Sequence, residues 1–113
     1  MRVEDLLKID GVKLVNDVSM LSTEINNIYI SDLLSWVMGH VREEGVCFLT
    51  ILNSINIIAV ASLLEMSAVV FCEGVIPSKE VIDKATEEKI PLFSTSLSTA
   101  QLAKEIYKYE NIL

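Results

Sequence analysis

Two short runs of β-branched and aromatic residues near the middle of the chain constrain its fold more than any other feature. They occupy residues 46–51 and 68–72, and neither contains a charged residue. Runs of this kind are typical of strands that are buried on both faces, as in a parallel sheet covered by helices. The segment between them follows a polar loop, residues 53–56, and is long enough for about three helical turns. Strand, helix and strand in this order predict a right-handed βαβ unit.

The segments before this unit predict two helices and two strands. Residues 3–9 form a short amphipathic pattern that ends at Asp10-Gly11, and residues 12–15 and 25–30 are strand-like. Residues 16–24 are mostly polar and predict a connection that could hold an edge strand. Ser31-Asp32 is a helix N-cap signal. The apolar face predicted for the helix that follows comprises Leu33, Leu34, Val37, Met38 and Val41.

The segments after the βαβ unit continue the alternation of helices and strands. Residues 79–89 predict a helix, and residues 91–95 predict a strand that begins with a proline. Ser98 and Gln101 match a capping box, and the inward stripe of the last helix is Leu102, Ala103, Ile106 and Tyr107. The whole order predicts an α/β fold: one domain, residues 1–113, with a mostly parallel central sheet and helices on both faces.

Charge and composition exclude several classes of function. The formal net charge is −7 and the nine Lys and Arg are scattered, which argues against nucleic-acid binding. Polar residues interrupt the longest apolar stretch, and the N-terminus lacks the apolar core of a signal peptide, so we expect a cytoplasmic protein without membrane association. Cys47 and Cys72 are read as buried strand residues, and their spacing to the one histidine supports no metal site.

The hydrophobic content predicts a homodimer. Hydrophobic residues make up 51% of a chain of 113 residues, a high fraction for a domain with so much surface relative to its volume. The helix after Asn56 is apolar nearly all round, which makes Ile58 a candidate interface residue. Trp36 projects away from the apolar face of its own helix, one turn from His40, and is the second candidate. The sequence does not choose between these two surfaces.

The candidate ligand site lies at the carboxyl edge of the predicted sheet, where ligands bind in open parallel sheets. The loops that leave the strands carry neutral hydrogen-bonding residues, namely Asn53, Ser54, Asn56, Ser94, Thr95 and Ser96. The alternative interpretation is that they serve only as N-caps and turn residues. No Lys or Arg occurs from Glu43 to Ser78, so a phosphate bound there would depend on backbone N–H groups and a helix dipole.

Catalysis has little support in the sequence. The chain has no Gly-rich phosphate loop, nucleophile elbow or HExxH pair, and the Cys and His residues have no catalytic spacing. The paired carboxylates at residues 43–44 and 87–88 are neighbours that are read as solvated charge. We therefore predict no catalytic residues, no cofactor and no enzymatic activity.

A scattered set of residues along nearly the whole chain matches the pattern of a known family. The set comprises Tyr29, Ser31-Asp32-Leu33-Leu34-Ser35, Val37-Met38, Glu44-Gly45, Thr50, Ala59-Val60-Ala61, Ala68-Val69-Val70, Glu73-Gly74, Pro77 and Pro91-Leu92-Phe93-Ser94-Thr95. This pattern resembles the DRTGG domain family. Domains of that family occur alone or joined to CBS domains, including those in regulated inorganic pyrophosphatases. A similar domain forms the N-terminal part of HPr kinase/phosphorylase.

The resemblance implies a non-enzymatic regulatory or sensor domain that binds a small ligand, such as an adenine nucleotide, at the carboxyl edge of the sheet. One departure from the family bears on this role. The family's Asp-Arg-Thr-Gly-Gly signature precedes the Tyr29 segment, and residues 22–28 here read STEINNI instead. The alternative hypothesis is therefore a protein-interaction subunit that has kept the scaffold and lost the ligand site.

Overall fold

The computed structural model describes residues 1–19 and 21–109. A short 3₁₀ helix, Val3–Lys8, precedes five strands and four helices that alternate along most of the chain. The strands are β1 (Val12–Leu14), β2 (Asn27–Ile30), β3 (Val46–Thr50), β4 (Ala68–Phe71) and β5 (Leu92–Thr95). The helices are α1 (Leu34–His40), α2 (Ile55–Leu63), α3 (Lys79–Glu87) and α4 (Thr99–Ile106).

The five strands form one sheet in the order β1-β5-β4-β3-β2. The β2–β3, β3–β4 and β4–β5 pairs are parallel, and β1 is antiparallel to β5 with Val12 opposite Thr95. The predicted fold class, α/β with a mostly parallel sheet, is confirmed. The two apolar runs form β3 and β4, which are adjacent and have neighbours on both sides.

Helices cover both faces of the sheet, as predicted. Every residue of β3 and β4 is buried, because alternate side chains enter two separate apolar clusters. The first cluster joins Leu49 and Val70 of the sheet to Leu102 of α4 and to Leu6 of the 3₁₀ helix. On the other face, the second cluster joins Phe48 and Phe71 of the sheet to residues of α1, α2 and α3, namely Val37, Ile57, Ile58 and Val81.

The helix α1 differs from its prediction in its start and in its buried face. The N-cap is Leu33 and not Ser31-Asp32, because both of those side chains bind elsewhere. The Ser31 Oγ accepts a hydrogen bond from the Leu33 N–H at 3.1 Å, which forms a turn. Leu33 and Met38 were predicted to face inward and are 60% and 48% exposed. A helix of seven residues offers the sheet only a narrow face, so the wide apolar stripe is not covered.

Three smaller predictions also need correction. α2 begins at Ile55, within the predicted loop, because the Ser54 side chain accepts a hydrogen bond from the Asn56 N–H. Tyr107 follows the end of α4 and is exposed, unlike its predicted inward position. The described residues in 16–24 form no strand, and Glu24 makes only an isolated bridge with Arg2.

The capping box predicted at Ser98 and Gln101 is confirmed. Ser98 accepts a hydrogen bond from the Gln101 N–H at 3.1 Å, and the Gln101 side chain accepts one from the Ser98 N–H at 2.9 Å. This reciprocal pair is a capping box. Ser78 caps α3 through the Val81 N–H. No helix in the described part of the chain is both long and apolar enough to cross a membrane.

Gly45 and Gly39 form a matched pair for testing how an added β-carbon at a glycine changes the free energy of unfolding. Gly45 has φ +77°, and a β-carbon there would overlap the Asn26 amide, which donates to the Glu44 carbonyl at 3.1 Å. Gly45→Ala is expected to lower the free energy of unfolding by about 2 kcal/mol or more, through the unfavourable φ and the disturbed hydrogen bond. Gly39 lies in α1 with open space around it, so Gly39→Ala is expected to raise that free energy by about 0.5–1 kcal/mol. Urea unfolding measures both, and equal effects would contradict this account of Gly45.

Candidate functional site

The carboxyl edge of the sheet brings together five chain segments. β2, β3, β4 and β5 are parallel, so all of them end at this edge. β1 runs in the opposite direction, so it begins at the same edge beside the end of β5. The loops after β4 and β5 therefore face the start of β1, in the arrangement that forms ligand sites in open α/β sheets.

An open cleft of about 430 Å³ lies at this edge, on the side of β1, β5 and the loop after β4. We call it the β1–β5 cleft. Its lining residues are Gly11, Val12, Lys13, Gly74, Val75, Ile76, Ser94, Thr95 and Ser96. The volume falls within the range of about 300–1,000 Å³ that small-molecule sites have. Apolar side chains form part of the wall, and hydroxyl groups and one ammonium group form the rest.

Lys13 gives the β1–β5 cleft its one positive charge. It pairs with Ser94 across β1 and β5, so its side chain and the end of β5 belong to one site. The ion pairs among the described residues do not include Lys13. In a chain of net charge −7, an unpaired ammonium group beside hydroxyl groups is suited to an anionic ligand group.

The loop after β4 is held against the end of β5 by its backbone. Glu73 and Gly74 have φ +57° and +76°, so the chain turns sharply at two consecutive residues. The Glu73 N–H donates to the Leu97 carbonyl at 2.8 Å, and the Gly74 N–H donates to the Thr95 carbonyl at 3.0 Å. These bonds fix the wall of the cleft relative to Thr95. The site is thus largely preformed.

Of the six polar residues predicted at this edge, Ser94, Thr95 and Ser96 line the cleft and three do not. Ser94 and Thr95 are at its base, where the Thr95 Oγ1 accepts a hydrogen bond from the Leu97 N–H at 3.2 Å. Asn53 instead braces the loop after β4, since it donates to the Ile76 carbonyl at 3.2 Å and accepts from the Ser78 N–H at 3.1 Å. Ser54 caps α2, and Asn56 lies in a groove beside α1. For Asn53 and Ser54 these hydrogen bonds match the cap and turn interpretation.

The β2–β3 half of the edge is closed by an internal acidic group. Asp32 Oδ1 accepts hydrogen bonds from the Thr50 hydroxyl at 3.0 Å and from the Ile51 N–H at 3.2 Å. Thr50 is fully buried and also accepts a hydrogen bond from the Leu52 N–H. The backbone and hydroxyl donors of this half are therefore already occupied. A carboxylate in this position disfavours a second anion.

Gly11 and Lys13 line the cleft but were not predicted at this edge. Gly11 has φ +86°, and a β-carbon on it would lie 3.8 Å from the Thr95 Oγ1, so its turn directs β1 past the end of β5. These residues are far from β5 in sequence. The one local signal is the Asp10-Gly11 turn, which marks the end of a helix and does not reveal the partner of β1.

The two predicted interface residues have different environments. Trp36 is 52% exposed and stacks on His40, with ring centroids 3.7 Å apart and planes 10° from parallel. Its side chain projects from the core, as predicted. Ile58 is fully buried in the cluster between the sheet and the helices, so it cannot contact a partner in the folded chain. This prediction was wrong because the buried side of α2 includes both Ile57 and Ile58.

The cysteines are not suited to nucleophilic chemistry. Burial, with the nearby Cys72 as a smaller cause, raises the pKa of Cys47 to about 12. Burial also raises the pKa of Cys72 to about 12, with the charges of Glu73 and Asp32 adding to the effect. Both groups are thus neutral thiols near pH 7. Among the described residues, no three His, Cys, Asp or Glu side chains are grouped so that they could hold a metal ion.

Fold and site together define a small α/β domain with a ligand-sized cleft at its carboxyl edge. The family model described as the HPr serine kinase N terminus matches residues 54–109, about half of the chain. This match confirms the resemblance predicted from the sequence. Residues 54–109 are thus similar to the N terminus of HPr serine kinase.

A solved structure shows the same fold in a larger protein. It contains the CBS and DRTGG domains of the regulatory region of Clostridium perfringens pyrophosphatase, complexed with the activator diadenosine tetraphosphate. The TM-score is 0.61 at 17% sequence identity, and the likeness covers 90% of this chain. The likeness covers 43% of the solved chain, which is that regulatory region. No curated protein sequence gives a significant match.

The thiol groups give a direct test of the structure around the sheet. In the folded protein we expect neither Cys47 nor Cys72 to react with Ellman's reagent at pH 8, because both are buried and neutral. Denaturation in guanidinium should release two reactive thiols per chain. Rapid reaction of one thiol in the folded protein would contradict the burial and reopen the question of a cysteine nucleophile.

Proposed function

We propose that this chain is a non-enzymatic regulatory domain that binds a small anionic ligand in the β1–β5 cleft. The observation that carries the proposal is the position of Lys13, beside the hydroxyl groups of Ser94, Thr95 and Ser96 at the end of β5. Charge-assisted hydrogen bonds from such groups bind phosphate or carboxylate. The pyrophosphatase region with the same fold was crystallised with a nucleotide activator, which supports a nucleotide as the first ligand class to test.

The composition of the cleft favours a nucleotide that carries few phosphates. Val75 and Ile76 offer apolar surface for a base, and Ile76 is one of the most exposed hydrophobic side chains of the described chain. Lys13 can neutralise only one phosphate group. Asp32 and Glu73, near the same edge, oppose additional negative charge. We therefore expect a nucleoside monophosphate to bind more tightly than the corresponding triphosphate.

A regulatory role without catalysis fits the groups around the cleft. Its lining contains no histidine, carboxylate or cysteine that could act as a general acid, a general base or a nucleophile. The ammonium and hydroxyl groups can bind and orient an anion. The output of such a domain would be a change in its stability or in its contacts when the ligand is bound.

The second candidate function is a protein-interaction subunit whose ligand site has been lost. The observation that favours it is the exposure of several apolar side chains at α1 and α2, namely Leu33 at the N-cap of α1, Met38 in α1 and Leu63 at the end of α2. On this hypothesis the β1–β5 cleft stays empty and the apolar surface performs the function. The two candidates differ in one measurable property, which is ligand binding at the cleft.

Ligand binding is tested by thermal shift and calorimetry with AMP, ADP and ATP. We expect AMP to raise the unfolding temperature most, because Lys13 can neutralise only one phosphate group. A ligand at 100 times its Kd adds about 2.7 kcal/mol to the stability of the folded state, so binding is measurable as a thermal shift. Lys13→Met should raise the Kd for AMP by about 10–100-fold through the loss of a charge-assisted hydrogen bond. Lys104→Met, on α4 and outside the cleft lining, is the control and should leave the Kd unchanged.

Two results would count against the proposal. If no nucleotide shifts the unfolding temperature at millimolar concentration, the cleft is not a nucleotide site and the interaction subunit becomes the better hypothesis. If the two lysine variants weaken binding equally, the ligand responds to overall charge and not to the β1–β5 cleft.

A further inference from the structure

A second open hollow, of about 340 Å³, lies where β2 and β3 begin, beside the end of α1. Its lining consists of Asn27 and Tyr29 of β2, residues 40–43, and Val46 of β3. We call it the α1–β2 hollow. The carboxyl edge is at the other end of these parallel strands, and the lining shares no residue with the β1–β5 cleft. Its volume is within the range of small-molecule sites.

Two side chains of opposite charge line the α1–β2 hollow without an ionic partner among the described residues. Arg42 is the one Lys or Arg between Lys13 and Lys79 in the sequence. The ion pairs of the described chain include neither Arg42 nor the adjacent Glu43, and the two do not pair with each other. Both side chains are exposed, so a ligand can reach them. A ligand with both charges can therefore pair with each without breaking an existing ion pair.

The segment that carries these charges is held in place by two asparagines. The Asn26 side chain donates to the Glu44 carbonyl at 3.1 Å, and its backbone N–H donates to the Gly45 carbonyl at 2.8 Å. The Asn27 side chain donates to the Glu43 Oε1 at 3.0 Å. One donor leaves a carboxylate with further lone pairs, so Glu43 can accept a second hydrogen bond. A side chain positioned in this way loses less conformational entropy when a ligand binds.

His40 adds a second acceptor whose ring is fixed by two contacts. Its Nδ1 lies 2.8 Å from the Trp36 carbonyl, and because a carbonyl only accepts, Nδ1 carries the hydrogen. The Trp36 ring also stacks on the imidazole, with centroids 3.7 Å apart. In this tautomer of the neutral ring, Nε2 is a hydrogen-bond acceptor. His40 and Glu43 together are suited to an ammonium group.

The other groups of the hollow are suited to a carboxylate and to an apolar side chain. The Arg42 guanidinium can bind a carboxylate through two parallel N–H···O bonds. Tyr29 lies on the same face of β2 as Asn27, with its ring packed against the second apolar cluster, and it adds a hydroxyl donor. Val41 and Val46 are buried and give the hollow an apolar floor.

We propose that the α1–β2 hollow binds a free α-amino acid with an apolar side chain. The carboxylate of the ligand pairs with Arg42, and its ammonium group donates to Glu43 and His40. Its side chain lies on Val41 and Val46. Glu43 repels a simple anion and Arg42 repels a simple cation, whereas a zwitterion places each charge beside its opposite. This inference does not depend on nucleotide binding at the β1–β5 cleft.

Titration of the ¹⁵N-labelled full chain with leucine, valine, methionine and phenylalanine tests this site. We expect saturable chemical-shift changes at the amides of Val41, Arg42 and Glu43 with at least one of these amino acids at millimolar concentration. The amide form of that amino acid lacks the carboxylate, and its N-acetyl form lacks the ammonium group. Each should bind about 10-fold or more weakly, because each loses a charge-assisted hydrogen bond.

Two pairs of variants separate the hollow from the overall charge. Arg42→Gln and Glu43→Gln should each raise the Kd by about 10–100-fold, and Glu43→Gln keeps an oxygen that can accept from Asn27. Arg2→Gln and Glu44→Gln make the same changes of charge outside the lining and should leave the Kd unchanged.

Three results would overturn the proposal. If none of the four amino acids gives a saturable shift at residues 40–43, the hollow is not an amino-acid site. If the N-acetyl or the amide form binds as well as the free amino acid, the ligand is not recognised as a zwitterion. If Arg2→Gln and Glu44→Gln weaken binding as much as Arg42→Gln and Glu43→Gln, the effect comes from overall charge and not from the hollow.

Discussion

The burial of β3 and β4 on both faces is the constraint on which the rest of the structure depends. Their side chains alternate between two apolar clusters, so helices must cover both faces of the sheet. Parallel pairing then requires each strand to be followed by a crossover through a helix. As a consequence, the loops that leave β2, β3, β4 and β5 all gather at one edge. The location of any ligand site follows from these two strands, although its chemistry does not.

The chemistry of that edge is decided by which strand end has free polar groups. At the β2–β3 end, Asp32 occupies the Thr50 hydroxyl and the Ile51 N–H within the domain. At the β4–β5 end, Asn53 and the backbone of Glu73 and Gly74 fix the loop and leave a cleft. The antiparallel β1 then contributes the ammonium group of Lys13 to this cleft. Exposed apolar side chains on α1 and α2, such as Met38 and Leu63, lie outside the lining of this cleft.

Local sequence patterns predicted the elements well because each depends on neighbouring residues. The apolar runs gave β3 and β4, and the Ser98–Gln101 capping box marked the start of α4. Tertiary partners could not be predicted in the same way. The pairing of Val12 with Thr95 joins residues that are far apart in sequence, so Lys13 was not expected at the edge. Similarly, the exposure of Met38 and the burial of Ile58 depend on how much of each helix the sheet covers.

On the proposed function, an anionic nucleotide binds in the β1–β5 cleft and at no other part of the edge. Chemical-shift mapping of ¹⁵N-labelled protein titrated with AMP tests it most directly, because each backbone amide reports its own surroundings. The account predicts the largest shifts at the amides of Gly11, Lys13, Gly74 and Ser96, with little change at those of Asp32 and Ile51. Shifts centred on Asp32 and Ile51, or confined to α1 and α2, would contradict it.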